Sequence, residues 1–202
     1  MLSHTPFTRY VFVLLTVCLM RSPSAHAAYI DFQPDSVIAN TGDSISFDLV
    51  ISNLGNFSPV SLGAFDISVG FDASALSFAG YSLGDFLGSL ALLEAIDASV
   101  GDVGGAVNVA EVSLLSALDL DTLQPASFVL ATLNFNVINL TGGAVTQLSI
   151  LSGPVLGDAF GAPIAVTGLG SASIASIPAP GTLVLLSASI FGWLTLKRRH
   201  SV

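Results

Sequence analysis

Carboxylates and hydroxyls are the only side chains in the body of this chain that can do chemistry. All fourteen Asp and Glu residues, from Asp31 to Asp158, fall between Ala28 and Leu196, an interval with no Lys, Arg, His or Cys. The five basic residues are Arg9, Arg21, Lys197, Arg198 and Arg199, and the single cysteine is Cys18. Much is thereby excluded. Thiolate and imidazole metal sites lack their ligands, and a serine nucleophile finds no histidine or lysine to activate it. No salt bridge can form inside this interval, so each carboxylate must be hydrated, hydrogen-bonded or held by a cation. A polyanion of this kind repels nucleic acid, which is not expected as a partner.

Oxygen ligands alone suit calcium. Asp119 and Asp121, two residues apart, are the candidate ligands, and Asp97 and Asp102 flank a second loop. The acid and glycine spacing of an EF-hand is absent, and the plain alternative is aspartates solvated in loops. No other cofactor is expected. A glycosidase needs two carboxyl groups facing each other across a cleft, usually among aromatics. Asp43, Asp72 and Asp85 instead adjoin glycine or small residues, as turn aspartates do, and the one tryptophan, Trp193, lies near the C-terminus. No catalytic residue is assigned. The chain reads as a non-enzyme.

The elements that must position these groups read as strands. Ile45, Phe47, Leu49 and Ile51 alternate with Ser46, Asp48 and Val50. Phe65, Ile67, Val69 and Phe71 alternate with Asp66, Ser68 and Gly70, and Val129, Ala131, Leu133, Phe135 and Val137 with Thr132, Asn134 and Asn136. A period of two marks strands with one face on a core. Weaker strands are expected at Tyr29–Gln33, Ala75–Tyr81, Ala106–Leu114, Val145–Leu151 and Ser171–Ile177. Turn chemistry separates them at Asn40–Asp43, Asn53–Asn56, Gly101–Gly105 and Thr141–Gly143. Leu87 to Asp97 reads as a short helix or an edge-covering loop. Many short strands with no intervening helices predict an all-β fold, an antiparallel β-sandwich or jelly roll, over residues 28–176. About 150 residues suffice for one domain with a full core.

Both ends look like trafficking segments. Residues 1–27 have the form of a signal peptide, with Arg9 before an apolar run from Tyr10 to Met20 and Ala25 and Ala27 framing a cleavage site. Residues 177–202 divide into three parts: Pro178, Ala179, Pro180 and Gly181, an apolar stretch at 182–196, and a basic tail at 197–200 with Lys197, Arg198 and Arg199. Two prolines one residue apart form a stiff extended joint. As a helix the apolar stretch is roughly 22 Å long, against about 30 Å for the hydrocarbon core, and snorkelling of the cations supplies the difference. The expectation is a single-pass membrane helix whose basic end is cytoplasmic, leaving the acidic domain outside.

Two resemblances add to this reading. The tail resembles the PEP-CTERM sorting signal of Gram-negative bacteria, matching it at Pro178, Pro180, Gly181, Lys197, Arg198 and Arg199; Ala179 stands where that family usually has glutamate. The resemblance implies processing by a membrane-embedded exosortase in cells that make exopolysaccharide. It covers only about an eighth of the chain, though the three parts in this order are fairly specific. The body carries Gly42-Asp43-Ser44-Ile45-Ser46-Phe47, then Gly63 to Val69, then Phe71-Asp72-Ala73-Ser74-Ala75-Leu76, with Ala131 to Phe135 later on. This series is similar to the strands of cohesin-like domains, which implies a nine-stranded jelly roll that binds a partner without catalysis.

The expectation is an exported, non-catalytic module. Its partners would be an exosortase-type enzyme, the membrane through the C-terminal helix, and a polysaccharide or a surface protein. It would lie in the inner membrane before processing and at the cell surface or in the medium afterwards. A membrane-anchored carbohydrate-binding module and, further off, a secreted polysaccharide-active enzyme compete with it.

Overall fold

Two sheets face each other because the alternation expected above places one set of side chains inward. The computed structural model describes residues 27–151 and 153–177. The leader with Ala25, the motif at Pro178, Ala179, Pro180 and Gly181, the helix at 182–196, and Lys197, Arg198 and Arg199 all lie outside those residues. Among the described residues no helix is long and apolar enough to cross a membrane. Ala27 opens the first strand, and Ala28 is already fully buried.

Among the described residues thirteen strand segments form the sheets: β1 (Ala27–Gln33), β2 (Ser36–Ile38), β3 (Ser44–Ser52), β4 (Leu62–Gly70), β5 (Leu76–Leu83), β6 (Ala95–Asp97), β7 (Gly101–Asp102), β8 (Ala106–Ser113), β9 (Ser127–Val137), β10 (Val145–Ile150), β11 (Val155–Asp158), β12 (Ala165–Leu169) and β13 (Ser171–Ala175). One sheet runs β12-β1-β3-β9-β5. The other runs β2-β13-β10-β4-β8-β6, with β11 also on β4 and β7 also on β8. β10 and β11 share β4, and β6 and β7 share β8; β1 with β2, and β12 with β13, each pass from one sheet to the other. The thirteen segments thus trace nine strand lines, four of them broken. Gly170 marks one crossing, and a side chain there would run into Asp31.

The all-antiparallel expectation needs correction at two places. β1 pairs β12 in parallel, and β13 pairs β2 in parallel. The first and last lines run in the same direction and both change sheets, so they meet side by side in each. A second correction concerns β9. A register shift opposite Leu49 and Val50 puts Phe128 and Leu130 inward before it and Ala131, Leu133, Phe135 and Val137 inward after it. Val129 therefore does not belong to the inward set. One extra residue in a strand reverses its facing, and strict alternation cannot foresee that.

The core between the sheets is aliphatic with aromatic anchors. Phe135 stands edge-on to Phe71 and Phe78, at centroid distances of 5.3 and 5.6 Å, and Phe32 stands edge-on to Phe47 at 6.5 Å. The segment from Leu87 to Asp97 is neither of the two forms expected alone. It is a single 3-10 turn at Leu90–Leu92 followed by β6. A short helix, α1 (Ala117–Leu123), joins β8 to β9.

Candidate binding face

That helix carries both candidate calcium ligands, Asp119 and Asp121. Ser116 caps it: its Oγ accepts from the Asp119 backbone N–H at 3.3 Å and donates to Asp119 Oδ2 at 2.6 Å. Asp119 is thus a first-turn acid, favourable beside the N-terminal backbone dipoles. Asp121 follows two residues on, roughly 200° around the helix axis. Its Oδ1 accepts from Ser61 Oγ at 2.8 Å. The two side chains diverge, and among the described residues no three carboxylates gather around a common point. The pattern Ser116-x-x-Asp119 ahead of Leu120 was the available signal for a helix start.

Other acids fold their own turns. Asp43 Oδ2 accepts the Asn40 N–H at 2.7 Å, and Asp72 Oδ1 accepts both N–H and Oγ of Ser74 at 2.9 and 2.6 Å. Asp97 Oδ1 takes the Ser99 N–H and Asp102 Oδ1 the Gly104 N–H, each two residues on. The hydrogen bonds from the Ser74 hydroxyl and backbone outweigh a small desolvation and hold the Asp72 carboxyl below its ordinary range. Burial pushes Asp97 up, but its bonds from Ser99 and Tyr81 prevail and the net shift is downward. Asp85 uses its backbone carbonyl, which accepts the Gly88 N–H at 3.2 Å. These residues shape loops.

The outer faces of the two sheets differ in chemistry. On the five-stranded sheet, Ser44 donates to Asn136 at 2.7 Å, Ser46 to Asn134 at 2.6 Å and Thr132 to Asp48 at 2.6 Å. On this face these six polar side chains pair with one another. On the eight-stranded sheet, Asn108 Nδ2 from β8 donates to Asp66 Oδ1 of β4 at 2.6 Å and to Ser68 Oγ at 3.3 Å. Around that polar centre stand Val155, in register with Asp66, and Val112, in register with both Ala64 and Ile96. Ile96, Val112 and Val155 remain 50%, 41% and 63% exposed. These three branched aliphatics share the outer face with the Asp66–Asn108 pair. Alternation named Asp66 and Ser68 as outward residues. Their meeting with Asn108 depends on the pairing of β4 with β8.

Compared with known protein families and with curated proteins, the chain matches none. Compared with solved structures, it is similar to cohesin modules. The sixth cohesin of scaffoldin B from Acetivibrio cellulolyticus, solved with a Cel5 dockerin, superposes with a TM-score of 0.57 and 19% identity, over 72% of this chain and 97% of that one. The cohesin OlpA of Clostridium thermocellum, also solved with a dockerin, gives 0.59 and 13%, over 75% and 99%. CaCohA2 of Clostridium acetobutylicum gives 0.59 and 14%, over 75% and 92%. The fold is cohesin-like. At these identities the likeness speaks for the β-sandwich and not for a ligand.

Proposed function

We propose that this chain is an exported, non-catalytic binding module whose eight-stranded face seats a protein partner at the cell surface. The carrying observation is that face: Ile96, Val112 and Val155 uncovered around the Asp66–Asn108 pair, opposite a face that pairs Ser44, Ser46 and Thr132 with Asn136, Asn134 and Asp48. The cohesins of A. cellulolyticus and C. thermocellum, solved with dockerins, support a protein rather than a polysaccharide as the partner. The missing cations add a condition. A partner that covers this face meets carboxylates with no neutralising neighbour, so basic residues at its rim are favoured. Export through residues 1–27 and sorting through the proline motif and basic tail belong to the same proposal.

A photo-crosslinking residue at Val112 in the native cells should capture one protein, and the same residue at Ser46 on the opposite face should capture none. Val112→Asp, an exposed position, should then weaken that partner roughly tenfold or more while leaving the melting temperature nearly unchanged. Capture at Ser46 alone, or at neither position, would overturn the assignment of the face. Intact mass and cell fractionation test the sorting. A mature chain that ends near Pro178 to Gly181, outside the inner membrane, is expected; one that ends at Val202 in that membrane would make the tail an anchor.

A further inference from the structure

One carboxylate takes no part in any turn, cap or face. Glu111 lies on β8 with the same facing as Val107 and Val109, both in the core. It is 0% exposed, and among the described residues neither side-chain oxygen has a hydrogen-bond partner. An ionised group so placed bears its full desolvation cost, and no cation between Ala28 and Leu196 can offset it.

Its position gives the charge a mechanical consequence. Glu111 is in register with Asp97 of β6 and with Phe65 of β4. β6 is an edge strand of three residues, tied to β8 through Ala95, Ile96 and Asp97. One edge strand of the other sheet is β5, and its Tyr81 hydroxyl donates to Asp97 Oδ2 at 2.8 Å. That bond ties the two edge strands together. The titratable groups around Glu111 are Asp97 from β6, Asp85 from the turn after β5 and, beyond Asp97, Tyr81 from β5. Both acids are of the same sign as the ionised form, and β4 offers only Phe65.

We propose that Glu111 is a proton-operated latch: protonated, it lets β6 lie closed against the edge of the sandwich, and ionised, it drives that strap open. Burial first, then the charges of Asp97 and Asp85, raise its pKa from an ordinary 4.5 to about 7. The folded domain therefore holds an extra proton between those values. The associated stability is complete below pH 4.5, is lost as pH rises to about 7, and stays lost above it. The acid limit is set elsewhere, because the lowered carboxyls of Asp72 and Asp97 contribute above about 3.8 and lose that contribution as they protonate below it. One consequence rests on the binding-face reading: with β6 released, Ile96 leaves its place beside Val112, so the face is complete only in mild acid.

Hydrogen exchange, expressed as protection factors to remove intrinsic pH dependence, tests the latch without any partner. In the wild-type domain the Ala98 and Leu114 amides, which donate to Ala110 and Glu94 at the two ends of β6, should lose protection roughly tenfold or more between pH 5 and pH 8. Amides of β3 and β9 should not follow. Glu111→Gln should abolish the dependence; if that variant does not fold, the wild-type series alone decides. Protection at Ala98 and Leu114 that is flat with pH, or that falls equally in β3 and β9, would overturn the latch. Failure of the crosslinking at Val112 would leave this result untouched.

Discussion

Replacing Phe135 with alanine is expected to lower the unfolding free energy by about 3–5 kcal/mol, the range for deleting a buried aromatic ring. The ring is fully buried near the C-terminal end of β9 and is clasped edge-on by Phe71 and Phe78. Both partners come from elsewhere in the chain, Phe78 from the neighbouring strand β5 and Phe71 from the residue that follows β4 of the opposite sheet. Collapse of the hole would require both sheets to move, and close-packed sheets resist this. Phe135→Leu fills most of the volume and should recover more than half of the loss. Urea unfolding followed by Trp-independent circular dichroism gives the number. A loss under about 1 kcal/mol would mean that the aromatic cluster is not the centre of the core.

Gln124→Ala is the second large effect, about 3 kcal/mol, and its cause is polar. Gln124 is 1% exposed at the end of α1. Its Oε1 accepts the Leu62 N–H at 2.7 Å, and its Nε2 donates to the carbonyls of Leu62 and Phe86 at 2.8 and 2.9 Å. One side chain thus satisfies the start of β4 and the turn after β5. Its removal leaves buried backbone groups without partners, which is dearer than the bonds themselves. Gln124→Leu separates the causes, since leucine keeps the volume and cannot pair the backbone. Equal losses in the two variants are expected; a leucine variant near wild type would show that packing alone was at stake.

These two residues differ in how visible they were. Phe135 could be placed inward from its neighbours alone, because a strand shows its faces in alternation and Leu133, Phe135 and Val137 obey it. Gln124 carries no local pattern. Its meaning arises from Leu62, 62 positions earlier, and only the docking of α1 against β4 creates it. Glu111 lies between these cases. Its parity with Val107 and Val109 pointed inward, yet a carboxylate at such a position reads as an edge or an error until the burial is seen.

By itself the sequence determined the class of the domain and the limits of its chemistry. Period-two alternation, turn residues and the absence of helical runs specify two β layers, because strand facing is a local property. The lack of any cation between Ala28 and Leu196 rules out internal ion pairs and histidine or cysteine chemistry, whatever the fold. Tertiary structure alone decided the rest. It paired the first and last lines in parallel, shifted β9 by one residue, turned Asp119 into a helix acid and sent Asp121 to Ser61. It brought Asp66 to Asn108 between exposed aliphatics, and it enclosed Glu111 behind a three-residue strand. Each of these depends on which distant segments become neighbours. That choice is made by the summed burial of the whole core, which no short window of residues contains.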